Sequence, residues 1–183
     1  EDFGFLLLGI ASISKLGQEG VLLAAASHAL GKSLLFVSIT APERDGALAR
    51  GDTGLARRYP YSAFGFLMGM LTLLGIPPML GFAGRWKLYE TALSIHPALL
   101  GGFVLASMLA LIAYVFAFTR LWWGIPSYDD RHITAIDRTE RYFPPLIHES
   151  MMLRAVILLL LVCILSAGLW PALAVQAFQG GQP

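Results

Sequence analysis

Two ionisable residues stand in the middle of an apolar run. The stretch Ser27-His28-Ala29-Leu30-Gly31-Lys32-Ser33 is flanked by Val21–Ala26 and Leu34–Ala41. His28 and Lys32 are four apart, so on a helix they share one face. An imidazole titrates near neutrality, and an amine in apolar surroundings can exchange its proton. Together the two could pass a proton along that face. A histidine bonded to a backbone carbonyl, with Lys32 paired to a carboxylate elsewhere, is the bland alternative. Packing alone does not account for a lysine placed where its head cannot easily reach water. Gly31 between them leaves room for a kink or a close neighbour.

A second anomaly lies further on. Gly75-Ile76-Pro77-Pro78 interrupts another apolar run, with Gly81 close behind. Two prolines remove two backbone donors and crowd the preceding turn, so the helix is expected to break there. Such breaks at membrane depth are tolerated where they line a cavity or lie within protein, and they often border ion sites. Arg85 and Lys87 follow the break directly. Glu90 stands three residues after Lys87 as a charge partner on the helix surface. An ordinary proline kink with basic residues reaching for the interface is the alternative.

The elements that must carry these groups are membrane helices. Of 183 residues, 56% are hydrophobic and 14% charged, against about 25% charged in a soluble domain. The mean hydropathy is +0.66. A span needs about 20 apolar residues. Five segments are expected: 3–14, short and truncated; 21–41, stopped by Pro42; 61–93, broken at 75–81; 97–123; and 150–175. The alternation of a membrane barrel is absent. The expected fold is all-α: a polytopic transmembrane helix bundle with discontinuous helices, residues 1–183 forming one transmembrane domain fragment. The chain starts Glu1-Asp2 without Met and has no basic leader, which reads as a cut through a longer protein.

The polar loops 42–60 and 124–149 carry Arg44, Arg50, Arg57, Arg58, Arg131, Arg138 and Arg141, with Arg120 just ahead of the second. The short loops opposite offer Lys15 and His96. The positive-inside bias puts both long loops in the cytoplasm and the C-terminus outside. Trp122, Trp123 and Trp170 lie near span ends, as interfacial aromatics do. Glu149 and Arg154 read as anchors of the last span. Asp129, Asp130 and His132 read as solvated loop charge. Cys163 has no partner for a disulfide or a CxxC metal site. The net charge of +1, with no basic patch, gives no reason to expect nucleic acid. No nucleophile triad, phosphate loop, haem or iron–sulfur motif is visible, so no cofactor is expected on this chain.

The stretch Gly9-Ile10-Ala11-Ser12, then His28-Ala29-Leu30-Gly31-Lys32-Ser33-Leu34-Leu35-Phe36, resembles the antiporter-like membrane subunits. These occur in proton-pumping NADH:quinone oxidoreductase (respiratory complex I), Mrp-type cation/proton antiporters and membrane-bound hydrogenases. Gly54-Leu55-Ala56-Arg57-Arg58-Tyr59-Pro60 and Gly75-Ile76-Pro77-Pro78-Met79-Leu80-Gly81-Phe82 resemble two further signatures of that family. Each piece alone is weak; their order is fairly specific. The resemblance covers nearly the whole chain but only the C-terminal part of a family member. It implies that Lys32 matches a central channel lysine and His28 its helical neighbour. Arg85 stands where the family usually has lysine or glutamate. Arginine keeps its proton, so Arg85 is a fixed gate charge, or Lys87 has taken over, or the path is altered. A glutamate–lysine pair of the family would lie upstream of Glu1.

The implied role is a non-redox membrane subunit of a proton-translocating oxidoreductase of the NADH dehydrogenase (quinone) type, moving protons past Lys32, His28, Arg85 and Lys87. Its partners would be the lipid bilayer and other membrane subunits of a respiratory or antiporter complex. A bacterial inner membrane is the implied location. A multisubunit Na+/H+ antiporter, a membrane-bound hydrogenase and a structural subunit with a degenerate channel stay open as alternatives.

Overall fold

In a computed structural model, residues 2–124 and 149–178 are described. Every regular element among them is helical. α1 covers Asp2–Ala11, α2 Lys15–Arg44, α3 Pro60–Leu74, α4 Leu80–Ile95, α5 Pro97–Phe118, α6 Met151–Leu169 and α7 Pro171–Phe178. A 3₁₀ turn at Leu55–Arg57 precedes α3, and α5 continues through a π-turn at Thr119–Trp123. By length and composition α2, α6, and α5 together with its π-turn are apolar and long enough to cross a membrane. α3 has 15 residues, about 22 Å of helix, less than the ~30 Å of a hydrocarbon core.

α2 is longer at both ends than its apolar run. Ser14 caps it, its Oγ accepting from Gly17 N at 3.0 Å, and this satisfies a donor that a helix start leaves open. The cap draws the polar residues Lys15, Gln18 and Glu19 into the first turns. Pro42 lies inside the last turn and does not end the helix. The backbone N–H groups of Asp45 and Ala47 still reach the carbonyls of Ala41 and Pro42, at 3.2 and 2.9 Å.

α1, α3, α4 and α6 all pack on α2. Its buried stripe includes Ser27, Gly31, Leu34 and Ser38, a helical spacing that gives one face to its neighbours. A Cβ on Gly31 would come within 3.0 Å of Leu73 on α3, so this glycine serves a close neighbour. Leu23, Leu34, Met79, Leu80, Ile157, Leu161 and Ile164 form the main core where α2, the start of α4 and α6 meet. By contrast α5 buries none of its residues. Leu105, Ile112 and Phe116 point outward, which costs nothing in hydrocarbon.

The polar segments leave from one end of this bundle. Tyr59 Oη donates to Asp45 Oδ2 at 2.6 Å. Trp122 packs with Ala47, Leu55 and Tyr59, and Glu149 bonds the start of α3. Trp122 is buried, with no hydrogen-bond partner for its Nε1 among the described residues, whereas Trp123 and Trp170 are exposed. Arg131, Arg138, Arg141, Asp129, Asp130 and His132 lie outside the described residues.

Candidate functional site

The geometry starts with α2. Lys32 lies about 26 Å along the helix from Lys15 and about 18 Å from Arg44, at 1.5 Å per residue. It is half-buried. Among the described residues nothing gives its ammonium a hydrogen bond or an ion pair. His28, one turn earlier, is also half-buried, and its ring lies 6.1 Å from that of Phe3 on α1.

Beside His28 is a small cavity of about 20 Å³, lined by Phe5, Leu6, Ala24, Ser27, His28, Leu73 and Arg85. That is room for about one water. The cavity brings two of the anomalous sequence features together: the His28 face of α2 and the arginine that follows the interruption.

The interruption itself spans residues 75–79, between α3 and α4. Gly75 ends α3 at φ 68°, ψ 42°, and its N–H closes on the carbonyls of Leu71 and Thr72. Only glycine adopts this left-handed conformation without strain. Arg85 then folds back over the end of α3. Its Nη2 donates to Leu73 O at 2.6 Å and its Nη1 to Ser107 Oγ on α5 at 2.9 Å. Its guanidinium carbon lies 4.9 Å from the Phe5 ring centroid. The open carbonyls of a helix end carry partial negative charge, so a cation there is favourable. Arg85 is only 7% exposed, which makes it a buried, partnered charge between α1, α3, α4 and α5.

Lys87 points elsewhere. Its Nζ meets Glu19 Oε2 on α2 at 2.8 Å, and Glu90 instead accepts from Trp86 Nε1 at 2.8 Å. The pairing with Glu90 expected from their spacing is thus replaced by a bridge between two helices. Gly81 sits against Thr72 O, and Pro77 and Pro78 are exposed on the connection.

Several residues that hold the site do so in ways the sequence did not signal, and Glu149 and Arg154, read as anchors of the last span, reach α3 instead. Glu149 is 3% exposed. It accepts from Tyr61 N at 3.0 Å, from Ser62 N at 2.9 Å and from Ser62 Oγ. A carboxylate at the first turn of α3 matches the helix dipole and fills open donors. Arg154 lies over the Tyr61 ring at 4.7 Å, with its Nε buried and unpartnered among the described residues. Phe5, Tyr89, Ser107 and Glu19 were silent, each being an ordinary residue until its distant partner is known. In the polar end, burial first and then the bond to Asp45 hold the Tyr59 phenol well above its ordinary range. Cys163 is exposed on α6 and unpaired.

Apolar helices long enough to cross a bilayer, with charge held between them, define an integral membrane helix bundle. Residues 1–113 match the transmembrane family model of NADH:quinone oxidoreductase and Mrp antiporters, and the chain belongs to that family. It is 38% identical over 128 residues to NADH-quinone oxidoreductase subunit N of Moorella thermoacetica, covering 67% of this chain and 26% of that protein. It is 33% identical over 185 residues to NAD(P)H-quinone oxidoreductase chain 4 1 of Synechococcus sp., covering 96% of this chain and 33% of that protein. The chain thus spans about a quarter to a third of the length of these two curated relatives.

Proposed function

We propose that the chain forms part of a proton-translocating membrane subunit of an NADH:quinone oxidoreductase-type complex. Lys32 is the residue that carries the reading. It is a lysine far from both ends of a membrane-length helix, with no counter-ion among the described residues. Such a group is expensive to keep in a span without a use. His28 stands one turn away, beside a cavity with room for about one water, and its imidazole is itself the next hydrogen-bonding stop. Protons pass between His28 and Lys32 along this face. Arg85 lines the same cavity as a permanent charge, and Lys87, tied to Glu19, lines the approach along α4. Electron transfer and its cofactors belong to partner subunits.

α3 and α4 act as one interrupted span. Their helices are too short singly, and the polar ends of α2, α3, α5 and α6 gather on one side. With the arginine bias of the loops, that side is the cytoplasm of a bacterial cell, and the C-terminus faces out. The similarity to quinone oxidoreductase subunits favours a quinone-linked complex over a sodium-driven antiporter.

The test is Lys32→Ala and His28→Ala in the assembled complex, reconstituted in vesicles. Electron transfer is expected to continue while acidification of the lumen falls. Undiminished acidification in both variants sinks the proposal.

A further inference from the structure

We propose that Arg85 is a fixed electrostatic barrier against proton leak through the small cavity beside His28, held in place by two positioning residues, Ser107 and Tyr89. The inference rests on the proton path through His28 and Lys32 proposed above. It assigns a role to side chains that the path does not itself use.

A guanidinium does not give up its proton under ordinary conditions and has no acceptor atom. Arg85 therefore cannot relay a proton as lysine can. A permanent cation beside a one-water cavity raises the energy of any further positive charge there, the way an arginine excludes protons from a narrow pore. Arg85 and His28 line the same cavity, so the charge stands at the point where a proton from the α4 side would reach the path.

A barrier of this kind works only if the charge stays put. A free arginine would swing toward water, since its stem is long and its head strongly favours hydration. Here each side of the group is held. Nη2 is bonded to Leu73 O and Nη1 to Ser107 Oγ. The Phe5 ring covers it at 4.9 Å. Ser107 is in turn bonded to Tyr89 Oη at 2.8 Å. Tyr89 is one helical turn after Arg85 on α4, so it lies on the same face. Its ring sits edge-on to Phe5 at 5.6 Å between centroids. Tyr89 thus braces both the hydroxyl that holds the guanidinium and the ring that covers it. Their effect runs through Arg85.

The experiment measures passive proton leak. The whole complex is placed in vesicles without electron donor, a potassium diffusion potential is imposed with valinomycin, and an internal pH dye reports proton entry. Ser107→Ala and Tyr89→Phe are expected to raise the leak about tenfold, the scale of one lost charge-assisted hydrogen bond. Tyr89→Phe keeps the ring against Phe5, so the bundle should assemble. Ser107→Thr keeps the hydroxyl and should leak as the unmodified complex does, which a purely structural role would not require. Adding Lys32→Ala to Ser107→Ala should close the leak. A wild-type leak in both Ser107→Ala and Tyr89→Phe overturns the barrier, and so does a leak that survives the added Lys32→Ala. The two readings fail separately. Normal pumping by Lys32→Ala sinks the path, whereas lost pumping by Lys32→Ala with no leak in Ser107→Ala sinks only the barrier.

Discussion

Replacing Glu149 by alanine would strip the start of α3 of its acceptor. The carboxylate takes hydrogen bonds from Tyr61 N, Ser62 N and Ser62 Oγ, and it is nearly fully buried. Ser62 is itself fully buried, so its N–H and hydroxyl would lose a partner in a place water reaches poorly. Hydrogen bonds to a charged group are worth about 1.5–3 kcal/mol each, and an orphaned buried donor costs about 1–3 kcal/mol. The losses overlap, so Glu149→Ala is expected to destabilise by about 3–5 kcal/mol, the range for breaking a buried charged contact. Glu149→Gln keeps an amide oxygen in reach of Ser62 and should cost about 1–2 kcal/mol, closer to a neutral bond. Unfolding of the purified subunit in mixed micelles, followed by helix signal against denaturing detergent, gives both values. Glu149→Ala within about 0.5 kcal/mol of the parent, the level of an ordinary surface change, would refute the reasoning. A glutamine variant as unstable as the alanine variant would show that the acceptor atoms are not what holds α3.

Three other perturbations follow from the same geometry. Tyr59→Phe removes the hydroxyl that donates to Asp45 and should cost about 0.5–1.5 kcal/mol in the same assay. The folded state holds that phenol above its ordinary value, so its contribution is full below about pH 10, the ordinary value of a tyrosine. The contribution is lost as pH rises further, and the phenylalanine variant should lack this alkaline slope. Gly75→Ala puts a side chain at φ 68° and a Cβ against Arg85 Cδ, and a melting measurement should show a loss of about 1–3 kcal/mol. A double-mutant cycle on Glu19→Gln and Lys87→Met should give a coupling of about 0.5–1 kcal/mol, because the pair is 19% and 27% exposed and partly screened. Zero coupling would mean that the bridge does not hold α2 to α4.

The parts of the fold that were legible in the sequence depend on neighbours along the chain. The i,i+4 spacing puts His28 and Lys32 on one face, and apolar length marks α2, α5 and α6. The Gly75 to Pro78 run lies between α3, which stops at Leu74, and α4, which starts at Leu80. Helix ends were read less well, because polar residues stay helical when a cap such as Ser14 recruits them. Partners far apart in the chain were not legible at all. Lys87 has an acidic neighbour at Glu90, but the contact between α2 and α4 brings Glu19 nearer, and the Trp86 indole takes Glu90. Glu149 reads as an anchor of the last span, and its bonds to the start of α3 show only when α6 is laid along α3. Ser107 and Tyr89 are single hydroxyls in apolar helices, and nothing local marks them until Arg85 arrives from the next helix.

The most direct measurement is the proton-to-electron ratio of a Lys32→Arg complex in sealed vesicles. Arginine keeps the positive charge and much of the stem, but it does not exchange its proton at working pH. If Lys32 carries protons, the ratio should fall as far as in Lys32→Ala while electron transfer continues. If Lys32 only needs to be a cation, Lys32→Arg will translocate protons like the unmodified complex, and the proposed path is contradicted.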